Sequence, residues 1–186
     1  MNKNKPWLPK EVNNILLSWI KENDVGFEWG SGTSTCWFAE KSKKITSIEH
    51  NPEWFKIVNK KLRKRGLKKI DFQLLESDNP RKKQQEYVAS ISAIQDSSLD
   101  YCLVDGILRD QCTLACLKKI KAGGLLIIDD IQRYFPNTIN TRAPYARKKD
   151  AGYATPVWEE VGKKINNWRQ IRLSNGMKDT SIFIKP

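Results

Sequence analysis

Two short runs, Leu99-Asp100-Tyr101-Cys102-Leu103-Val104 and Leu125-Leu126-Ile127-Ile128, constrain the fold more than any other feature. Each has the length of a strand and is apolar on both faces. Such a strand needs cover from both sides, which is the situation of a central strand in a parallel sheet. The rest of the chain supplies that cover. Val12, Ile15, Leu16, Trp19 and Ile20 recur at helical spacing, so 10–22 reads as an amphipathic helix. A strand over 25–29 runs into Gly30-Ser31-Gly32, and a helix over 34–41 follows. Strand 44–49 leads to Asn51-Pro52, a helix start that carries the chain to Arg65 and stops at Gly66. Strand 70–75, a helix over 80–93, a helical stripe at Cys112, Ala115, Cys116 and Ile120, and a helix over 158–165 complete the alternation. Strands 169–173 and 180–184 flank Asn175-Gly176 and read as an antiparallel pair.

Strands that alternate with helices imply an α/β, Rossmann-like, doubly wound and mostly parallel sheet. With the last pair it has seven strands. At 186 residues the chain is expected to be one domain, with an N-terminal helix inside 1–23 and a substrate-binding loop over 131–156. Ligands in this architecture bind beyond the carboxyl ends of the strands, at the switch in strand order. The residues just after each strand therefore carry the functional argument.

After the first strand stands Phe27-Glu28-Trp29-Gly30-Ser31-Gly32-Thr33-Ser34, where glycines let backbone approach a ligand and a helix start offers free N–H groups. After the second stands Glu49-His50-Asn51-Pro52. A carboxylate there can accept hydrogen bonds from both hydroxyls of a ribose, or cap the next helix. A nicotinamide-binding loop has a third glycine where this chain has Thr35.

Together, Glu28-x-Gly30-x-Gly32, Glu49-x-Asn51-Pro52, Val104-Asp105-Gly106 and Gly123-Gly124 before an apolar strand and Asp129-Asp130 resemble class I S-adenosylmethionine-dependent methyltransferases over about residues 25–130. The resemblance implies S-adenosylmethionine as cofactor, with Glu28, Gly30, Gly32 and Ser34 at its methionine end. It also implies Glu49 at the ribose, His50 on the adenine face, Ser77 or Asp78 at the adenine edge, and Asp105 beside the cofactor. Catechol-type O-methyltransferases carry a divalent-metal triad at points matching Asp105, Asp129 and Asp130. Here the pair after strand five is Asp-Asp in place of Asp-Asn, and the glycine loop is shorter. Hard oxygen ligands suit Mg²⁺, which would lower the pKa of an acceptor hydroxyl. By this reading Asp105, Asp129 and Asp130 are the catalytic residues and metal ligands. Alternatively, Asp105 binds cofactor or caps a helix.

The formal net charge of +12 favours anionic partners: nucleic acid, phosphorylated metabolites or acidic glycans. Lys56, Lys60, Lys61, Arg63, Lys64 and Arg65 form one basic helix face. The stretch after strand five holds Arg133, Arg142, Tyr145 and Arg147, read as the groups that grip the acceptor. Cys36, Cys102, Cys112 and Cys116 form no CxxC pair and His50 is the sole histidine, so no zinc site is expected and reduced thiols are. The sequence shows no signal-peptide core and no apolar run near the ~20 residues of a membrane span, so a cytoplasmic enzyme is expected. The expected activity is O-methylation of a small hydroxylated and anionic acceptor, such as a sugar or phosphorylated metabolite. The alternatives are an RNA or DNA methyltransferase and a non-catalytic S-adenosylmethionine-binding module.

Overall fold

The computed structural model describes residues 6–76, 79–137 and 141–186. Its elements in chain order are α1 (Lys10–Trp19), β1 (Val25–Trp29), α2 (Thr33–Lys41), β2 (Lys44–Glu49), α3 (Pro52–Lys64), β3 (Ile70–Leu74), α4 (Pro80–Ala89), β4 (Leu99–Val104), α5 (Arg109–Cys116) and β5 (Ile120–Asp129). A single 3₁₀ turn (Ile131–Arg133), α6 (Pro156–Lys164), β6 (Arg169–Ser174) and β7 (Asp179–Ile184) complete the order.

The seven strands form one sheet in the order β3-β2-β1-β4-β5-β7-β6. Strands β1 to β5 pair in parallel, and β7 runs antiparallel between β5 and β6. This is the expected doubly wound architecture with its reversed pair. The order reverses between β1 and β4, so the crevice at their carboxyl ends is the ligand position for such a sheet.

The two-faced apolar strands act as anticipated. Tyr101 and Leu103 of β4 pack with Leu16, Phe38, Ile45 and Ile127 on one face. Cys102 and Val104 pack with Tyr87, Cys112, Cys116 and Trp158 on the other. All four cysteines are buried and unbridged. Local chemistry sets the helix starts: the side chains of Asn51 and Thr155 accept from the backbone N–H of Trp54 (3.0 Å) and Trp158 (3.2 Å), each before a proline at the first helical position.

Several boundaries differ. Ile120 does not lie on the helix of its stripe, because α5 ends at Cys116 and Ile120 opens β5. Strand β5 is ten residues long and runs through Gly123-Gly124, opposite a register shift between Leu99 and Tyr101. Helix α4 stops at Ala89, short of Ala93, and α1 stops at Trp19. Among the described residues no helix is long and apolar enough to cross a membrane.

Candidate active site

Backbone proximity explains the first glycine of the loop. Gly30 has φ +89°, and a Cβ there would sit 2.7 Å from the backbone of Asp105 and Gly106. The amides interlock at this point: Gly30 N–H donates to Ile48 O and Asp105 N–H to Trp29 O, both at 2.9 Å. The ends of β1, β2 and β4 are thus drawn together. Gly32 differs. Its backbone is extended at φ 177°, and an added Cβ would meet only Ser34 Oγ, at 3.9 Å. Nothing among the described residues demands glycine there, so the missing side chain leaves room for something else.

Glu28 is fully buried. It accepts from Ser47 Oγ at 2.6 Å and from Thr35 Oγ1, while Thr35 Oγ1 accepts from Gly32 N–H at 2.8 Å. The acid therefore shapes the glycine loop through Thr35 and does not face the cavity. Its second oxygen, Oε2, has no partner among the described residues. Burial pushes its pKa up to about 7, against the hydrogen bonds from Ser47, Thr35 and Ser34.

Glu49 presents the opposite case. Oε2 accepts from Ser31 N–H (3.1 Å) and Ser31 Oγ (2.6 Å), and Oε1 from the N–H groups of His50 (2.8 Å) and Asn51 (2.9 Å). Burial would raise its pKa, but these bonds and the His50 imidazole outweigh it and hold the value at about 2. It is an anion under all ordinary conditions, placed at the end of β2 with strong acceptor character. His50 Nδ1 lies 3.1 Å from Glu49 Oε1, and its ring meets Tyr87 edge-on at 5.7 Å.

A cavity of about 330 Å³ lies over these groups, lined by Gly30, Ser31, Glu49, His50, Trp54, Asp105 and Ile107 among others. A smaller one of about 40 Å³ adjoins it at Ser31, Gly32, Ser34, Asp105 and Trp7. Trp54 borders both, with its indole N–H donating to Ser31 O at 2.6 Å and its ring 6.0 Å from that of Trp7. The residues expected around a nucleoside and an amino-acid tail are therefore together at the switch point. Glu28 supports them from behind, and Ser34 is buried beside the smaller cavity. Ser77 and Asp78 lie outside the described residues.

The expected metal triad is not assembled. Arg109 stands among the three carboxylates. Its guanidinium donates to Asp105 Oδ1 (2.9 Å), Asp105 O (3.0 Å), Gly106 O (2.9 Å) and Asp129 O (2.6 Å), and lies 3.6 Å from Asp130 Oδ2. Asp129, itself buried, accepts from Thr180 Oγ1 (2.5 Å) and from Lys178 Nζ (2.5 Å). Two cations, Arg109 and Lys178, already pair with the cluster, and no group of three possible metal-binding side chains converges among the described residues. A divalent ion needs several free oxygens aimed at one point, so Asp105, Asp129 and Asp130 do not fit Mg²⁺. Burial and the charge of Asp129 raise the pKa of Asp105, against Arg109 and Lys178. Leu108 (φ 48°) and Asp130 (φ 57°) hold left-handed backbone beside this network, strain of the kind that concentrates at functional sites.

Arg109 and Lys178 went unnoticed in the sequence. Asp105 and Arg109 have the four-residue spacing of an ion pair, a signal that was available. Lys178 follows the Asn175-Gly176 turn and reaches Asp129 only through the antiparallel pairing, which no local pattern announces.

Within 131–156, the described residues 131–137 and 141–156 largely hold one another. Arg147 N–H donates to Gln132 O, Asn137 N–H to Arg147 O, and Ala154 N–H to Tyr134 O. The Arg147 guanidinium donates to Gly152 O (2.8 Å) and Ala151 O (2.7 Å), closing its own loop. Arg133 lies 3.8 Å from Asp130 Oδ2 and 5.0 Å from the ring of Tyr145, which is 79% exposed. Arg142 is exposed. A continuous chain, Asp105–Arg109–Asp130–Arg133–Tyr145, thus connects the cavity to this segment.

No family model matches the sequence, and no curated protein does. Solved structures do match in fold. One is a methyltransferase-like protein from Silicibacter pomeroyi, with TM-score 0.64 and 19% identity over 99% of this chain and 90% of that one. A SAM-dependent O-methyltransferase from Thermotoga maritima matches with TM-score 0.58 and 15% identity over 100% of this chain and 68% of that one. An rRNA methylase from Streptococcus thermophilus matches with TM-score 0.58 and 10% identity over 92% of each. The fold is that of the class I methyltransferases.

Proposed function

We propose that the chain is an S-adenosylmethionine-dependent methyltransferase that methylates a hydroxyl of a small, anionic acceptor. The observation that carries the reading is the pair of adjoining cavities at the switch point, the smaller at the bare Gly32 backbone and the larger at the ionised Glu49. Glu49 would hold the two ribose hydroxyls, taking over from the hydrogen bonds that Ser31 now makes. His50 and Ile107 would bracket the adenine, and Gly30, Gly32 and Ser34 would flank the methionine end. When bound, the cofactor supplies a methyl group activated by its sulfonium.

The protein's own task is then positioning and proton removal. Asp105 lies at the junction of both cavities, where an acceptor hydroxyl would stand, and its raised pKa suits a proton acceptor. Arg109 fixes its carboxylate and would stabilise the charge as it changes. No metal is needed for this account. Arg133 and Arg142 are the cations of 131–156 best disposed to meet an anionic acceptor, whereas Arg147 is engaged within the segment. Trp7 and Tyr145 offer exposed rings at the two margins.

A second reading, an RNA methyltransferase, draws on the net charge of +12 and on the rRNA methylase among the fold relatives. Methyl transfer from tritiated S-adenosylmethionine to a panel of phosphorylated sugars, neutral sugars and total RNA separates the two. Label in the phosphorylated sugars, unchanged by EDTA, is expected. Label in RNA alone would overturn the small acceptor, and loss of transfer in EDTA would overturn the metal-free site.

A further inference from the structure

The edge of the sheet opposite the cofactor cavity carries a second concave surface. We propose that it is a docking site for the phosphate backbone of a nucleic acid. The loops α2–β2 and α3–β3 bring Lys43, Lys44, Lys68 and Lys69 together around one cavity of about 500 Å³. Parallel pairing enforces the meeting, because Ile45 and Ile70 are in register and Ile45 N–H donates to Lys69 O at 3.1 Å. All four lysines are exposed, and none has an ion-pair partner among the described residues. The single carboxylate in the lining, Asp71, accepts from Gln73 Nε2 at 2.8 Å.

Ordinary helix chemistry accounts for the neighbouring cations but not for these. Lys41, Lys61, Arg63 and Lys64 stand in the last turns of α2 and α3, where a positive charge complements the helix dipole. Along the basic face of α3, Lys56 pairs with Glu53 at 2.8 Å, Arg65 with Glu40 at 3.0 Å, and Lys61 lies over Trp54 at 5.6 Å. The four lysines have no such compensation, and a bound polyanion would relieve their mutual repulsion. Their ammonium groups are point charges that grip phosphate without reading bases. An anionic membrane fits less well, since it also requires apolar side chains to insert. The large exposed apolar residues, Trp7, Leu17, Trp19, Ile57, Tyr145 and Met177, all lie outside this lining. Strand β2, from Lys44 to Glu49, separates this edge from the cofactor cavity by about 17 Å at ~3.3 Å per residue, so a docked strand leaves the cavity free. The inference does not rest on the methyltransferase reading.

The test is the anisotropy of a fluorescein-labelled 20-nucleotide single-stranded RNA, titrated with the full chain at several NaCl concentrations. Wild type should bind, with affinity falling steeply as salt rises. Lys43→Gln/Lys44→Gln/Lys68→Gln/Lys69→Gln should lose tenfold or more in affinity, and its log–log salt slope should flatten by about 2–3, at ~0.7 per phosphate contact. A variant with Lys10, Lys118, Lys163 and Lys164 changed to glutamine removes equal charge elsewhere and should keep the wild-type slope. Lys44→Glu/Lys69→Glu gives an independent check with fewer changes and should also abolish binding. Equal losses in the two quadruple variants, an unchanged slope in the first, or wild-type binding to phosphatidylglycerol vesicles in preference to RNA would each overturn the proposal.

Discussion

At the scale of single residues, two glycines of one loop should respond differently to the same change. A methyl group at Gly30 would collide with the backbone of β4's end and occupy left-handed φ. Gly30→Ala should therefore cost about 2–4 kcal/mol of stability. Gly32→Ala meets open space and extended backbone, so its melting temperature should stay near wild type. Yet the thermal shift given by S-adenosylmethionine should disappear from it, because the methyl group fills the cradle. A Gly32→Ala variant that keeps the full shift would show that the loop does not contact the cofactor.

The two buried glutamates set opposite pH dependences. Glu28 has its pKa raised from 4.5 to about 7, so folding favours its protonated form. Stability from this group is complete at low pH and falls as pH rises from 4.5 to 7, by about 3 kcal/mol at ~1.4 kcal/mol per unit. Glu49, lowered from 4.5 to about 2, contributes stability above pH 4.5 that is lost as pH falls toward 2. Chemical denaturation of Glu28→Gln between pH 4.5 and 8 should show a flatter profile than wild type and greater relative stability at pH 8. Parallel profiles would contradict the burial of an acid at this position.

At the scale of elements, most of the sheet was legible because periodicity and capping report local physics. The limits of β1, β2 and β4 follow directly from the apolar runs and their bounding turns. The end of α5 was misjudged because Cys112, Ala115, Cys116 and Ile120 satisfy a helical period even though the last belongs to a strand. In the site, the residues after strands one and two were legible, since a glycine loop and a strand-end acid are local signals. The aspartate cluster was legible as a cluster but not in its chemistry. Arg109 begins a helix, where a cation opposes the dipole, so only the facing carboxylates explain it. Lys178 arrives from a hairpin distant in sequence.

The segment 131–156 gave no period, and its role depends on which of its cations can reach an acceptor. Arg133→Ala and Arg142→Ala should each raise the acceptor's KM by one to two orders of magnitude, about 1.5–3 kcal/mol for a lost charge-assisted bond. Donor affinity should not change. Arg147→Ala should act through loosening of the loop, visible as faster proteolysis between 131 and 156. If Arg147 alone controls KM while the other two are silent, the assignment of grip and brace is reversed.

At the scale of the whole molecule, the topology gives the sheet two chemically distinct edges. The carboxyl ends of the strands hold a cavity with buried and ionised carboxylates. The amino ends of β2 and β3 hold the unpaired lysines. An excess of positive charge is thus compatible with a small-molecule site that is itself acidic, because the two occupy opposite ends of the same strands. The central claim is that the cavity at the β1–β4 switch point binds S-adenosylmethionine through Glu49. Isothermal titration of S-adenosylhomocysteine into wild type and Glu49→Ala tests it most directly. The account predicts one site per chain in wild type and an affinity at least tenfold weaker in the variant, with NADH giving no heat in either. Absence of binding in wild type, equal affinity in a folded Glu49→Ala, or binding of NADH in its place would contradict it.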